Sequence, residues 1–231
     1  MTTHKNAQGQ PIGAPVPDWQ GAPFPPHEVI KGERVDLAPL SIAHAEGLHA
    51  AFSADTTGTL WTYMPGGPYA DAAAYRDWIA SVAGQADPQF YTVIDKATDT
   101  PVGVASYLRI TPSQGTIEVG WITFSPTLQR TPHATEAMYL MMKRAFDLGY
   151  RRYEWKCDAL NAASRKAAER LGFIYEGTFR QAVVYKGRNR DTAWFSITDQ
   201  EWPDVRERLE TWLASSNFDA DGMQLTKLAQ T

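Results

Sequence analysis

The chain of 231 residues is 43% hydrophobic, 21% charged and 12% aromatic, a globular composition that excludes disordered and fibrous classes. No apolar run approaches the roughly 20 residues of a membrane helix, and the opening Met1-Thr2-Thr3-His4-Lys5-Asn6 lacks the apolar stretch of a signal peptide. A cytoplasmic protein with no membrane partner is expected, and a net charge of −4, from 22 basic and 26 acidic residues with no long basic run, disfavours nucleic acid.

Residues 1–30 carry Pro11, Pro15, Pro17, Pro23, Pro25 and Pro26 with few aliphatics, and read as an extended arm pinned by Trp19 and Phe24. The main domain is expected over 31–200, followed by a C-terminal helix and tail over 201–231. Alternation at Glu33-Arg34-Val35-Asp36-Leu37 predicts a strand, and Ser41 a helix cap before Ile42, Ala45, Leu48 and Phe52. The segment Trp61 to Tyr69 reads as a loop by its prolines and glycines, yet it is rich in aromatics. Asp71 then caps a helix through Tyr75, Trp78, Ile79 and Val82. Strands follow at Phe90 to Ile94, Val102 to Ile110 and Thr116 to Phe124, joined by short polar turns that favour antiparallel hairpins.

Helical spacing of Ala134, Ala137, Met138, Met141, Ala145 and Leu148 predicts a long helix, with Thr131 as cap, Pro132 in its first position and Gly149 after its last turn. Tyr153 to Cys157 is the next strand, and a short helix from about Ala163 stops at Gly172. Two strands, Phe173 to Tyr185 and Thr192 to Ile197, flank the turn Gly187-Arg188-Asn189, and a helix spans Pro203 to Leu213. This order predicts an α/β (α+β) fold on a mixed, mostly antiparallel sheet flanked by helices. Cys157, the single cysteine, reads as a core thiol, and none of the five histidines has the spacing of a zinc site, so no metal is expected. The basic clusters Arg151-Arg152 and Lys186 to Arg190 read as a solvated turn or helix end.

Two segments carry chemistry. The strand Ile117 to Phe124 is followed by Gln129-Arg130-Thr131-Pro132-His133-Ala134 and then Thr135-Glu136-Ala137. Further on come Asp158-Ala159-Leu160-Asn161-Ala162-Ala163-Ser164 and Ala167-Ala168-Glu169-Arg170-Leu171-Gly172-Phe173. The first resembles the acetyl-coenzyme A signature [QR]-x-x-G-x-[GA] of the GNAT superfamily of N-acetyltransferases, with Pro132 where the family usually has glycine. The second resembles its N-x-x-S and leucine-glycine-phenylalanine segment, and the Ala-Thr-Glu-Ala run is common in the branch of ribosomal-protein N-terminal acetyltransferases (RimJ/RimL-like). A strand-to-helix loop of this kind offers unpaired N–H groups and the positive end of a helix dipole to a pyrophosphate.

The resemblance spans about residues 31–200 and implies a GNAT fold with strands splayed at the coenzyme site. It implies acetyl-coenzyme A held by Ile122, Phe124, Gln129, Arg130, Thr131, His133, Ala134, Thr135, Asn161 and Ser164, and a primary amine as acceptor. Glu118 is the candidate base, sharing a regular strand face with Gly120, Ile122 and Phe124; the alternative is a cross-strand partner of a lysine or arginine. The family's tyrosine acid is replaced by Ala168, and Ser164 is the substitute acid. Trp61, Tyr63, Tyr107, Arg180 and Tyr185 are candidate walls of the acceptor pocket, with a hydrophobic lid as the other reading of the aromatic loop. Rival functions are transfer of a longer acyl group, if Met138, Met141 or Met142 enlarges the thioester end, and a non-catalytic coenzyme sensor. A homodimer is left open.

Overall fold

A computed structural model describes residues 4–228. The first three residues of the proline arm, with the reading made of them, and the last three of the tail lie outside the described residues. Chain order is β1 (His4–Lys5), β2 (Pro11–Ile12), β3 (Ile30–Lys31), β4 (Val35–Pro39), α1 (Ala45–Phe52), α2 (Ala72–Val82), β5 (Gln89–Asp95), β6 (Thr100–Thr111) and β7 (Thr116–Phe124). Then come α3 (Pro132–Asp147), β8 (Arg152–Asp158), α4 (Ala162–Leu171), β9 (Ile174–Tyr185), β10 (Arg188–Thr198) and α5 (Trp202–Leu213).

The starts of α2 and α3 follow the predicted caps, and Asn161, read from sequence as a coenzyme contact, caps α4 as well. Asp71 Oδ1 accepts from the Ala74 amide at 2.8 Å, Thr131 Oγ1 from Ala134 at 3.2 Å and Asn161 Oδ1 from Ser164 at 3.0 Å. Ser41 caps a 3-10 turn, Ile42–His44, that leads into α1. Gly172 ends α4 at φ 104, and a Cβ there would lie 2.4 Å from the Arg208 guanidinium, so both conformation and space demand glycine.

Eight strands form one sheet in the order β3-β4-β5-β6-β7-β8-β10-β9, antiparallel except where β7 meets β8. The larger core lies on the α3 face, where Leu37, Tyr91, Tyr107, Val119, Tyr153, Trp155 and Phe195 meet Met138, Met141 and Met142. Helix α5, expected beyond the domain, buries Trp202, Val205, Leu209, Trp212 and Leu213 in this same core. The smaller core lies under α1 and α2, where Leu48, Phe52, Tyr75 and Ile79 meet Phe90 and Val104.

The arm is extended apart from the β1–β2 hairpin. Trp19 pins it: Nε1 donates to the Ser113 carbonyl at 3.0 Å and the ring lies under the Arg151 guanidinium. Phe24 does not, being 45% exposed; the carbonyls of Pro25 and Pro26 do so instead, accepting from Gln89 Nε2 and Arg144 Nη2. Among the described residues no helix is long and apolar enough to cross a membrane, and no cluster of three histidine, cysteine or acidic side chains could hold a metal.

Candidate active site

The site is built on the one parallel strand pair. β7 and β8 are in register for four residues, Thr116 to Val119 against Arg152 to Trp155. Beyond that, Gly120, Thr123 and Phe124 pair only with β6, and Lys156, Cys157 and Asp158 only with β10. The two strands therefore part into a wedge, and each leads directly to a helix start, α3 from β7 and α4 from β8.

At the mouth of the wedge β7 carries a bulge. Gly120 pairs with Ser106 and Thr123 with Val104, so three steps of β7 oppose two of β6, and Trp121, at φ 52, and Ile122 have no register partner. The bulge reverses the alternation. Glu118, Gly120 and Thr123 oppose Leu108, Ser106 and Val104 on the α1/α2 face, where Trp121 also packs. Ile122 and Phe124 turn instead to the α3 core. The expectation that Glu118 shares a face with Ile122 and Phe124 is thus corrected, because a regular strand was assumed where the chain inserts one residue.

The loop into α3 presents unused donors. The Leu128 and Gln129 amides donate to the Ser125 carbonyl, Ala134 donates to the Thr131 side chain and Thr135 to the Thr131 carbonyl. The amides of Arg130, Thr131 and His133 have no partner among the described residues. Arg130 is exposed in a left-handed conformation (φ 63), which turns the loop into the helix. Three free N–H groups at a helix start fit an anionic phosphate even though Pro132 has none to give. Gln129 Nε2 donates back to the Phe124 carbonyl at 2.8 Å and braces the loop, and Thr135 is buried, with Oγ1 accepting from Arg170 Nη1 of α4 at 3.1 Å.

Glu118 lies 3% exposed in a line of alternating charges. Its Oε2 accepts from Arg109 Nε at 2.6 Å and lies 2.8 Å from Lys156 Nζ, while Oε1 accepts from Arg109 Nη2 at 3.2 Å. Lys156 also meets Glu154 at 2.8 Å and lies over the Trp194 ring; Glu154 pairs with Arg152, which pairs with Glu176. The cross-strand alternative for Glu118 is the arrangement observed, and its two oxygens are occupied by three cationic donors. Arg152 of the supposed solvated pair is likewise engaged in this line.

An acetyltransferase (GNAT) domain matches residues 34–174, more than half of the chain. The chain belongs to the GNAT acetyltransferase family. It is 29% identical over 181 residues to an uncharacterized N-acetyltransferase p20 from Bacillus licheniformis, covering 76% of this chain and 98% of that protein. A GCN5-related N-acetyltransferase from Brucella melitensis is 44% identical, with a TM-score of 0.90 over 92% of this chain and 97% of its own. RimL, a ribosomal L7/L12 alpha-N-protein acetyltransferase, is 20% identical with a TM-score of 0.63 over 74% and 94%, a likeness of fold. The protein is therefore a GNAT N-acetyltransferase of mixed, mostly antiparallel fold, and the family uses acetyl-coenzyme A.

In this GNAT enzyme the start of α4 brings Ser164 to the wedge. Its Oγ accepts from Trp155 Nε1 at 3.0 Å and also touches the Cys157 thiol, whose pKa burial pushes up and Ser164 partly restores. Asn161 spends its carbonyl on the Ser164 amide.

On the opposite face, the loop 61–69 and the β9–β10 hairpin close over the tip of β8. Tyr63 donates to the Leu160 carbonyl at 3.2 Å, Lys186 Nζ to the Trp61 carbonyl at 2.8 Å and Tyr185 to Asp158 Oδ2 at 2.9 Å. Tyr63 and Tyr185 are thereby brought together, while Arg180 stands exposed on β9. Trp61 is a core residue, 8% exposed, edge-on to Phe52 and Tyr69. Tyr107 is not near this surface: it is fully buried in the α3 core, donating to the Met141 carbonyl at 2.6 Å, because it sits one residue out of phase with Leu108.

Sequence reasoning missed Asp158 as a functional candidate. It is 5% exposed at the strand tip, with Oδ1 accepting from the Leu160 amide and Oδ2 from Tyr185, and it has no cationic partner among the described residues. Its place immediately before the Asn161 segment was the available signal.

Proposed function

We propose that this enzyme transfers acetyl from acetyl-coenzyme A directly to a primary amine, a peptide N-terminus or a small amine, without a covalent enzyme intermediate. The observation that carries the reading is the wedge between β7 and β8, with free amides at the start of α3 on one side and a polar, aromatic-rimmed surface on the other. The Arg130, Thr131 and His133 amides hold the pyrophosphate, and Asn161 and Ser164 flank the thiol end.

The acceptor amine enters from the α1/α2 face, past Tyr63 and Tyr185. Its ammonium gives a proton to Asp158, whose carboxylate no cation occupies, and the free nitrogen attacks the thioester carbonyl carbon. An N–H of the unpaired Trp121-Ile122 step meets the developing oxyanion. The C–S bond then breaks, the thiolate takes the Ser164 hydroxyl proton, and Ser164 recovers a proton through water from the acylated nitrogen, which leaves a neutral amide. Glu118, the base suggested by the strand pattern, positions Arg109 and Lys156 under the acceptor instead. Met138, Met141 and Met142 are sealed in the core at 3%, 0% and 0% exposure, which favours acetyl over a longer chain.

Release of free thiol from acetyl-coenzyme A, measured with a panel of amines, tests the reading, and at least one amine should accelerate it. Acetyl-coenzyme A at one hundred times its dissociation constant should stabilise the fold by about 2.7 kcal/mol. No thermal shift at millimolar coenzyme would overturn the assignment of the wedge.

A further inference from the structure

Three neighbouring polar atoms on β10 are buried and lack a hydrogen-bond partner among the described residues: Arg190 Nε, Thr192 Oγ1 and Trp194 Nε1. Thr192 as a whole is 5% exposed. The three residues alternate along the strand. Thr192 pairs with Asp158 and Trp194 with Lys156, so these two share the face of the sheet that carries the tip of β8, and Arg190, across a register shift against β9, reaches it through the Tyr185 ring, whose hydroxyl bonds Asp158. Buried donors are almost always satisfied, and three orphans in a row call for an occupant.

Charge points to its chemistry. Residues 180–191 hold Arg180, Lys186, Arg188 and Arg190 against one acid, Asp191. The Asp191 carboxylate is already taken by the Gln181 amide and Asn189 Nδ2. None of the four cations forms an ion pair among the described residues, and Lys186 is held to a backbone carbonyl. Arg190 lies over the Tyr185 ring, 5.7 Å from its centroid, and Tyr185 in turn bonds Asp158. A cationic fork with an unused N–H therefore stands beside the carboxylate assigned to the amine.

We propose that Arg190, Thr192 and Trp194 form an anion subsite for the acceptor, so that the substrate is a zwitterion bearing a carboxylate or phosphate near its primary amine. The inference rests on the acetyl-transfer reading and names its substrate class. The anionic oxygens accept from Arg190 Nε, Trp194 Nε1 and the Thr192 hydroxyl, while the ammonium faces Asp158. The basic hairpin, which on sequence reads as a solvated turn, thereby gains a ligand.

Matched acceptors test it: O-phosphoethanolamine against ethanolamine, and alanyl-alanine against its C-terminal amide. The anionic member of at least one pair should have a kcat/KM higher by about tenfold or more, and the pair that shows this separates phosphate from carboxylate. Arg190→Gln should abolish the preference with the KM for acetyl-coenzyme A unchanged. Arg190→Lys, which keeps the charge without the fork, should restore part of it, and Thr192→Val should weaken it. Equal rates within both pairs, or a preference that survives Arg190→Gln, overturns the subsite and leaves acetyl transfer standing. Failure of all four amines to react overturns acetyl transfer to this class. Calorimetric titration of the four compounds into coenzyme A-loaded protein then decides the subsite separately: anion binding lost in Arg190→Gln supports it, and binding that is absent or unchanged removes it.

Discussion

The ammonium of Lys156 lies 2.8 Å from Oε2 of Glu118, and each side chain is 4% exposed. In such a place a charge is tolerated only while its partner is present. Glu118→Gln should therefore act first on stability, by about 3 kcal/mol, the lower end for breaking a buried pair because Glu154 still serves Lys156. Chemical denaturation of both proteins checks this. A variant of wild-type stability would mean that Arg109 and Lys156 relax into solvent at no cost.

Asp158→Asn removes the proposed proton acceptor while keeping its shape. The expected loss is a factor of about 10²–10⁴ in kcat, with coenzyme affinity kept. A wild-type kcat in this variant, measured under saturating acetyl-coenzyme A, would return the proton to solvent or to another carboxylate.

The aromatic loop divides into two roles. Trp61 closes the smaller core, and Gly67, at φ 75, leaves room for its ring, since a Cβ there would lie 2.3 Å from it. Trp61→Ala should cost about 3–5 kcal/mol and depress the melting temperature with little selectivity between substrates. Tyr63 is half-buried and bonds only a loop carbonyl. Tyr63→Ala should leave the melting temperature nearly unchanged and raise the KM for the amine severalfold. Melting curves beside steady-state kinetics for both variants distinguish lid from wall.

Acid should loosen the far end of the charge line. Arg152 holds the Glu176 carboxyl below its ordinary 4.5, burial opposes this and Ser196 adds to the lowering. A group depressed in the folded state contributes stability above its unfolded value and loses it as pH falls through the lower folded one. Stability should thus decline below about pH 4.5, and Glu176→Gln should flatten that decline. Denaturation midpoints between pH 3 and pH 6 measure it, and identical slopes would show that the pair is inert.

Much of this architecture is legible in sequence because it is written in local chemistry. Asp71 and Thr131 each cap the helix whose start they mark, and the alternation of Val35, Asp36 and Leu37 sets the buried face of β4. What is not legible depends on counting across strands. Tyr107 and Glu118 were assigned from their own strands alone, yet the face of each is fixed by register with its neighbours, and the bulge at Trp121 leaves no mark in composition. Asp158 and the orphaned donors of β10 were hidden for a related reason: whether a polar side chain is satisfied is a property of its surroundings.

That bulge has a mechanical meaning. One surplus residue in β7 is a dislocation, and everything downstream of it is locked out of step with everything upstream. It lets Trp121 join Trp78 and Phe90 on one face while Phe124 fills the core on the other. Straightening the strand with all its residues kept would turn its end inside out, sending Phe124 toward the acceptor and the Thr123 hydroxyl into the hydrophobic interior. The irregular strand is the one that keeps both sides of this protein correctly dressed.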